Sequence, residues 1–337
     1  MTAAANPELE AARLLLAKLG VSPEDLLQPA SARTATPTFR EYLPVVRAAV
    51  GPGTLRAYGS YWNRIEQQWG DRRMDEVKPT EISGLVELVK AGRVMRRNGR
   101  SGRGTAENLI AALRCVYNRA VDDGYLRKDD NPALKVAKPR RLPSTRGALA
   151  DAKLAELNAA AASSGNDPEL DALLLRLHTE TACRRGGALA LRPVDLDEGQ
   201  CLVRLREKGE TVRWQPVSPT LMRYLLQHAC ERGAAAEGQL LRYRNGTPVT
   251  RRRYDHLFVR LGRLLPWVAT QQVSIHWLRH TTLTWVERNF GYAIAQAYAG
   301  HADSTGEVGT TARYVRAKLS EVAAALAALT AEPHPMQ

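Results

Sequence analysis

Residues 274–290, SIHWLRHTTLTWVERNF, and residues 299–315, AGHADSTGEVGTTARYV, decide how the rest of the chain is read. Ser274 precedes a periodic apolar run, which predicts a helix from Ser274 to Phe290. On such a helix His276 and Arg279 share a face, so an imidazole and a guanidinium can address one anion. His276 and His280 also stand at the i, i+4 spacing of helical zinc ligands. The HExxH glutamate is absent between them and no third ligand is evident. Farther on, His301 follows Gly300 and Tyr314 stands in TTARYV, where a Gly-His pair also serves as a turn and a tyrosine also serves packing.

Upstream, HTETACRRGGALALRPVDLD (178–197) places Arg184 where a helix meets a Gly-Gly turn. CLVRLREKGETVRWQPV (201–217) changes to β-type alternation around Lys208 and Gly209, the pattern of a hairpin or the edge of a small sheet. Lys208 is the only lysine between Lys153 and Lys318. In so arginine-rich a chain, a lone lysine can supply a titratable ammonium that arginine cannot. Helices are expected near 150–163, 168–182, 218–232, 250–265 and 318–329 around this small β element.

The first half reads as helices alone. A short helix is expected at 7–19, with Asn6 as cap and Gly20 as stop, followed by a polar, proline-bearing linker. A helical block begins near Thr38. Its clearest member, TLRAYGSYWNRIEQQWG, has Thr54 as cap and spaces Leu55, Tyr58, Trp62, Ile65 and Trp69 on one stripe. Another helix is expected at 80–90. A longer one has Thr105 as cap, Ile110, Leu113, Val116, Tyr117 and Ala120 inward, and Gly124 as stop. DDNPALKVAKPRRLPSTR (129–146), with its prolines, is an extended connection to the second half. The fold class is therefore mainly α with a small β-hairpin or sheet, in two domains.

Composition narrows the partner. The net charge is +13 and the pI near 9.8, which points to a polyanion. Only nine of the 48 basic residues are lysines, and arginine's planar fork suits bidentate phosphate contacts. Residues 91–146 hold fourteen basic against five acidic residues, and 242–263 hold seven arginines against one acid. Candidate phosphate contacts are Arg96, Arg97, Arg100, Arg103, Lys138, Arg140, Arg141, Arg251, Arg252 and Arg253. The N-terminus does not read as a signal peptide, no apolar run approaches a membrane span, and the four cysteines form no CxxC pair. A reducing, cytoplasmic compartment is expected.

Taken together, TACR, a hairpin Lys-Gly, HWLRH, AGH and ARY, in this order and spacing and after a four-helix block, resemble the tyrosine recombinase family of phage integrase-like proteins. The resemblance covers roughly residues 38–329. It implies a helical, SAM-like core-binding domain at 38–138, a linker at 139–147 and a mixed α/β catalytic domain at 148–337, after an extension at 1–37. The two domains would form a clamp around double-stranded DNA, with four protomers acting on two recombination sites. The last helix would pack onto a neighbouring protomer. Arg184 matches the family's first catalytic arginine, Lys208 its hairpin lysine, His276 and Arg279 its HxxR pair, His301 its second histidine and Tyr314 its nucleophile. No metal or other cofactor is required.

Three departures stand out. Ala182 and Cys183 replace the usual Gly-Leu before the arginine. Gly187 stands where the family commonly has a glutamate. The interval from His301 to Tyr314 is longer than usual through DSTGEVG, which reads as a mobile tether for the nucleophile. A type IB topoisomerase-like enzyme, an inactive architectural DNA-binding protein and a basic RNA-binding protein are the alternatives. No RNA-recognition motif is visible for the last.

Overall fold

A computed structural model describes residues 7–19, 35–92, 102–140, 147–207, 211–300 and 317–336. The chain divides into two compact units, Met1–Leu142 and Pro143–Gln337.

The first unit contains α1 (Pro7–Leu19), α2 (Phe39–Ala48), α3 (Pro52–Trp69), α4 (Pro79–Ala91) and α5 (Arg103–Asp122). Helix α2 opens with a capping box, in which the Thr38 hydroxyl accepts from Glu41 N–H and Glu41 accepts from Thr38 N–H. Apolar stripes of α2–α5 meet around Phe39, Trp62, Ile65, Ile82, Leu113 and Tyr117. The two large polar-tipped rings are satisfied inside this core. Trp62 Nε1 donates to Ala112 O at 3.1 Å and Tyr117 Oη to Met74 O at 3.0 Å.

Two expectations change here. Helix α3 starts at Pro52 rather than after Thr54, because a proline at the first helical position has no amide hydrogen to leave unpaired. Leu55 then lies in the first turn, beyond the core, and is 41% exposed although Trp62, Ile65 and Trp69 on its stripe are buried. In α5 the cap is Gly102 in the left-handed region, not Thr105.

The second unit contains α6 (Asp151–Ala162), α7 (Pro168–Thr181), α8 (Arg185–Leu189) and strands β1 (Leu196–Asp197), β2 (Leu202–Arg206) and β3 (Val212–Pro216). Helices α9 (Pro219–Glu231), α10 (Arg251–Leu264), α11 (Pro266–Gln271), α12 (Ile275–Phe290), α13 (Tyr292–Ala299) and α14 (Leu319–Thr330) follow. The strands make one antiparallel sheet in the order β1-β2-β3, with Arg204 opposite Trp214 and Arg206 opposite Val212. Asp195 lies fully buried and takes hydrogen bonds from Arg192, Arg204 and Arg206, so three cations share one carboxylate.

Helix α14 buries Val322, Ala325 and Leu326 against Ala182, Val286 and Tyr298 of the same chain. Its alanines let the backbone approach closely. Just past its end, Glu332 accepts from Arg176 at 2.7 Å and from Thr220 N–H at 3.1 Å, locking the C-terminus to α7 and α9. No described helix is long and apolar enough to cross a membrane.

Candidate active site

The site grows from the turn that ends α7. Ala182 closes the helix in the left-handed region at φ 49°, a conformation that glycine adopts without cost and alanine does not. The departure from Gly-Leu thus falls on a position whose backbone favours glycine. Surrounding groups hold the turn in place. His178 Nδ1 donates to Cys183 O at 3.0 Å, Cys183 N–H donates to Thr181 Oγ1 at 3.3 Å, and Arg279 Nη1 donates to Ala182 O. Because a carbonyl only accepts, His178 is the Nδ1–H tautomer, and its Nε2 accepts from Tyr254 Oη at 3.0 Å. Burial pushes the His178 imidazole down to about 4, so it stays neutral.

Arg184 emerges from this turn as the cap of α8, with its side chain about one-third exposed. A single carboxylate grips it at two points. Glu207 Oε1 accepts from Arg184 N–H at 2.6 Å and Oε2 from Arg184 Nη1 at 3.0 Å. The Glu207 side chain is itself wholly buried, at the end of β2.

Arg279 lies one turn into α12 and is 9% exposed. Besides Ala182 O it donates to Ala299 O at 2.7 Å, so it ties the α7 turn to the end of α13. Burial, then the neighbouring charges of Arg184 and Arg213, lowers its pKa to about 10, partly offset by Glu207; it remains cationic at neutral pH. His276 sits three residues earlier on the same helix and is exposed.

A third guanidinium, Arg213 from β3, was not marked out by the sequence. Its side chain is 10% exposed, and burial lowers its pKa. It donates to Thr181 O at 3.3 Å and to Gln215. Its Nε has no hydrogen-bond partner among the described residues, although Glu207 Oε2 lies 3.7 Å away. Gly300, at φ 62°, packs so tightly on this side chain that a Cβ there would collide with it. Three guanidiniums therefore gather around one carboxylate.

Lys208, His301 and Tyr314 lie outside the described residues, as does the DSTGEVG segment. Their attachment is informative for two of them. Lys208 directly follows Glu207 and His301 directly follows Gly300, and both of those residues flank Arg213. For the zinc alternative, no group of three His, Cys, Asp or Glu suited to a metal occurs among the described residues.

The basic candidates separate by exposure. Arg103, Lys138, Arg140, Arg251 and Arg252 are exposed, whereas Arg96, Arg97, Arg100 and Arg141 lie outside the described residues. Arg253 is corrected. It is 7% exposed and spends its donors inside the protein, on Asp171 at 2.7 Å, Asn166 at 2.7 Å and Asp167 O at 3.0 Å. A buried guanidinium so engaged is a structural cation, not a phosphate contact.

Residues 148–321 match the phage integrase family, a segment that contains all six residues from Arg184 to Tyr314. The tyrosine recombinase XerC of Chromobacterium violaceum is 29% identical over 272 residues, covering 79% of this chain and 85% of that protein. XerC of Chlamydia caviae is 27% identical over 316 residues, covering 84% and 95%. Among solved structures, a lambda integrase tetramer bound to a Holliday junction superposes with a TM-score of 0.60 at 15% identity, covering 92% of this chain and 86% of that one. The Tn1549 transposon integrase in complex with circular intermediate DNA gives 0.61 at 19% identity, covering 85% and 98%. With the matched segment spanning more than half of its length, the chain belongs to the phage integrase family, the tyrosine recombinases.

Proposed function

We propose that this recombinase cuts and rejoins double-stranded DNA at specific sites, with Tyr314 as nucleophile. The observation that carries the reading is the gathering of Arg184, Arg279 and Arg213 around Glu207, the residue that precedes Lys208 in the sequence. Three cations against one carboxylate leave two positive charges. A pentacoordinate phosphorane formed by phenolate attack on a phosphodiester carries two negative charges on its non-bridging oxygens. Phosphoryl transfer depends mainly on such positioning and charge stabilisation.

In this mechanism Arg184 and Arg279 hold the non-bridging oxygens and His301 supports them. Tyr314 gives its proton to His276 as its oxygen bonds to phosphorus. The bond from phosphorus to the 5′ oxygen breaks, and Lys208 protonates that oxygen. The 3′-phosphotyrosine keeps the bond energy for attack by another 5′ hydroxyl, which reverses the steps. Integration or excision of a mobile element is the biological setting we assign. The assembly is four protomers on two sites, in keeping with the tetramer in which lambda integrase is found on a Holliday junction.

A DNA substrate nicked next to the cleavage site tests this reading, since loss of the small fragment traps any covalent intermediate. An adduct that forms in chelator and maps to Tyr314 is expected. Cleavage that needs an added metal ion contradicts the mechanism, and site-independent relaxation of a supercoiled plasmid favours the topoisomerase alternative.

A further inference from the structure

We infer that Glu207 is the positioning carboxylate of Arg184, and that it reaches the arginine through space that Gly187 leaves open. The inference rests on the proposed recombinase mechanism and adds a residue to it.

The geometry carries it in three steps. First, Glu207 binds Arg184 at both ends, through the backbone N–H at 2.6 Å and Nη1 at 3.0 Å. Fixing backbone and side chain together leaves little freedom to the guanidinium. Its Nε and Nη2 have no protein partner among the described residues, and that edge is the fork suited to bidentate contact with two phosphate oxygens. Second, a Cβ built on Gly187 would lie 3.1 Å from Glu207 Cγ and 3.4 Å from Oε1. A side chain at 187 and the Glu207 carboxylate therefore compete for one volume. The family's usual glutamate position and this chain's Glu207 are two ways of bringing a carboxylate to the same arginine. Third, Glu207 is the residue before Lys208 and its N–H donates to Thr211 O at 2.8 Å, closing the base of the hairpin. The same side chain lies 3.7 Å from Arg213. The orientation of Arg184 is thus coupled to the strand that carries the hairpin lysine.

The test measures single-turnover cleavage of the nicked substrate and, separately, DNA affinity and thermal midpoint. Four variants of the full chain are compared: Glu207→Gln, Glu207→Ala, Gly187→Ala, and the paired Gly187→Glu/Glu207→Ala. Glu207→Gln and Glu207→Ala are expected to slow cleavage roughly 10- to 100-fold, the scale of one charge-assisted hydrogen bond. DNA affinity should stay within about twofold, because phosphate contacts elsewhere carry binding. Gly187→Ala should slow cleavage by pushing Glu207 aside. The paired variant should recover most of the rate lost in Glu207→Ala, a rescue that a merely structural role for Glu207 does not produce. Glu207→Gln cleaving at the wild-type rate, or a paired variant no faster than Glu207→Ala, overturns the inference while the wild-type adduct leaves the proposed function standing. A wild-type chain that forms no adduct overturns both.

Discussion

His178 supports the catalytic turn from behind, and it does so only while neutral. Its pKa falls from 6.5 to about 4 on burial, so the unfolded chain binds a proton there more readily than the folded one does. The stability this contributes is present above about pH 6.5 and is lost as pH falls through 4, with a slope of up to about 1.4 kcal/mol per pH unit. Denaturant midpoints measured from pH 7 to 4 should therefore decline less steeply for His178→Asn than for the wild type. Arg253→Ala is expected to cost about 3–5 kcal/mol, because it leaves the fully buried Asp171 with Arg260 alone. Urea unfolding should show that loss while DNA affinity at matched salt stays unchanged. At this scale the sequence shows Arg184, His276 and Arg279, because their order and spacing within TACR and HWLRH survive linear reading. It hides Glu207 and Arg213, which look like ordinary charges on an alternating strand until the fold sets one against Arg184 and the other against Gly300. Arg253 misleads for the same reason: its partner Asp171 is 82 residues away.

Among the elements, the long helices were legible because an apolar stripe at helical spacing must be buried, and Ile110, Leu113, Val116, Tyr117 and Ala120 are all inside. The hairpin was legible because alternation switched on around a Lys-Gly pair. Short elements were not. Helix α13 has eight residues in an Ala- and Tyr-rich run whose caps are two positive-φ glycines, Gly291 and Gly300, and too little length for a periodic signal. Its end carries Gly300 against Arg213, so the missed helix is the one that brings His301's neighbour to the site. The C-terminal helix is legible as an amphipathic, Ala-rich run, but an apolar face does not state which surface covers it; here Val286 and Tyr298 of the same chain do. Leu326→Ala in α14 should destabilise the chain by about 2–4 kcal/mol, measured by urea unfolding at a concentration where the protein is monomeric. A midpoint that is insensitive to this substitution, or that depends on protein concentration only in the wild type, would show that the helix is not seated in cis in solution.

For the whole molecule the excess of +13 charges is the property that composition conveys best and position conveys least. Affinity for DNA should fall steeply with salt as counterions return to the phosphates. Replacing Arg103, Lys138 and Arg140 together by alanine is expected to weaken binding about equally for specific and unrelated duplexes. It should also lower the slope of log Kd against log salt by about three, one for each exposed cation lost. A change confined to the specific site would instead mean that one of them reads bases. Both compact units carry exposed cations, Arg103, Lys138 and Arg140 in the helical one and Arg251 and Arg252 in the other, and the second also gathers Arg184, Arg213 and Arg279 around a single carboxylate. The most direct measurement of the central claim is made on the nucleophile. With a nicked substrate, wild-type protein should accumulate a covalent protein–DNA adduct, and Tyr314→Phe should form none while retaining its affinity for the same DNA. An adduct that persists in Tyr314→Phe contradicts the assignment of the nucleophile.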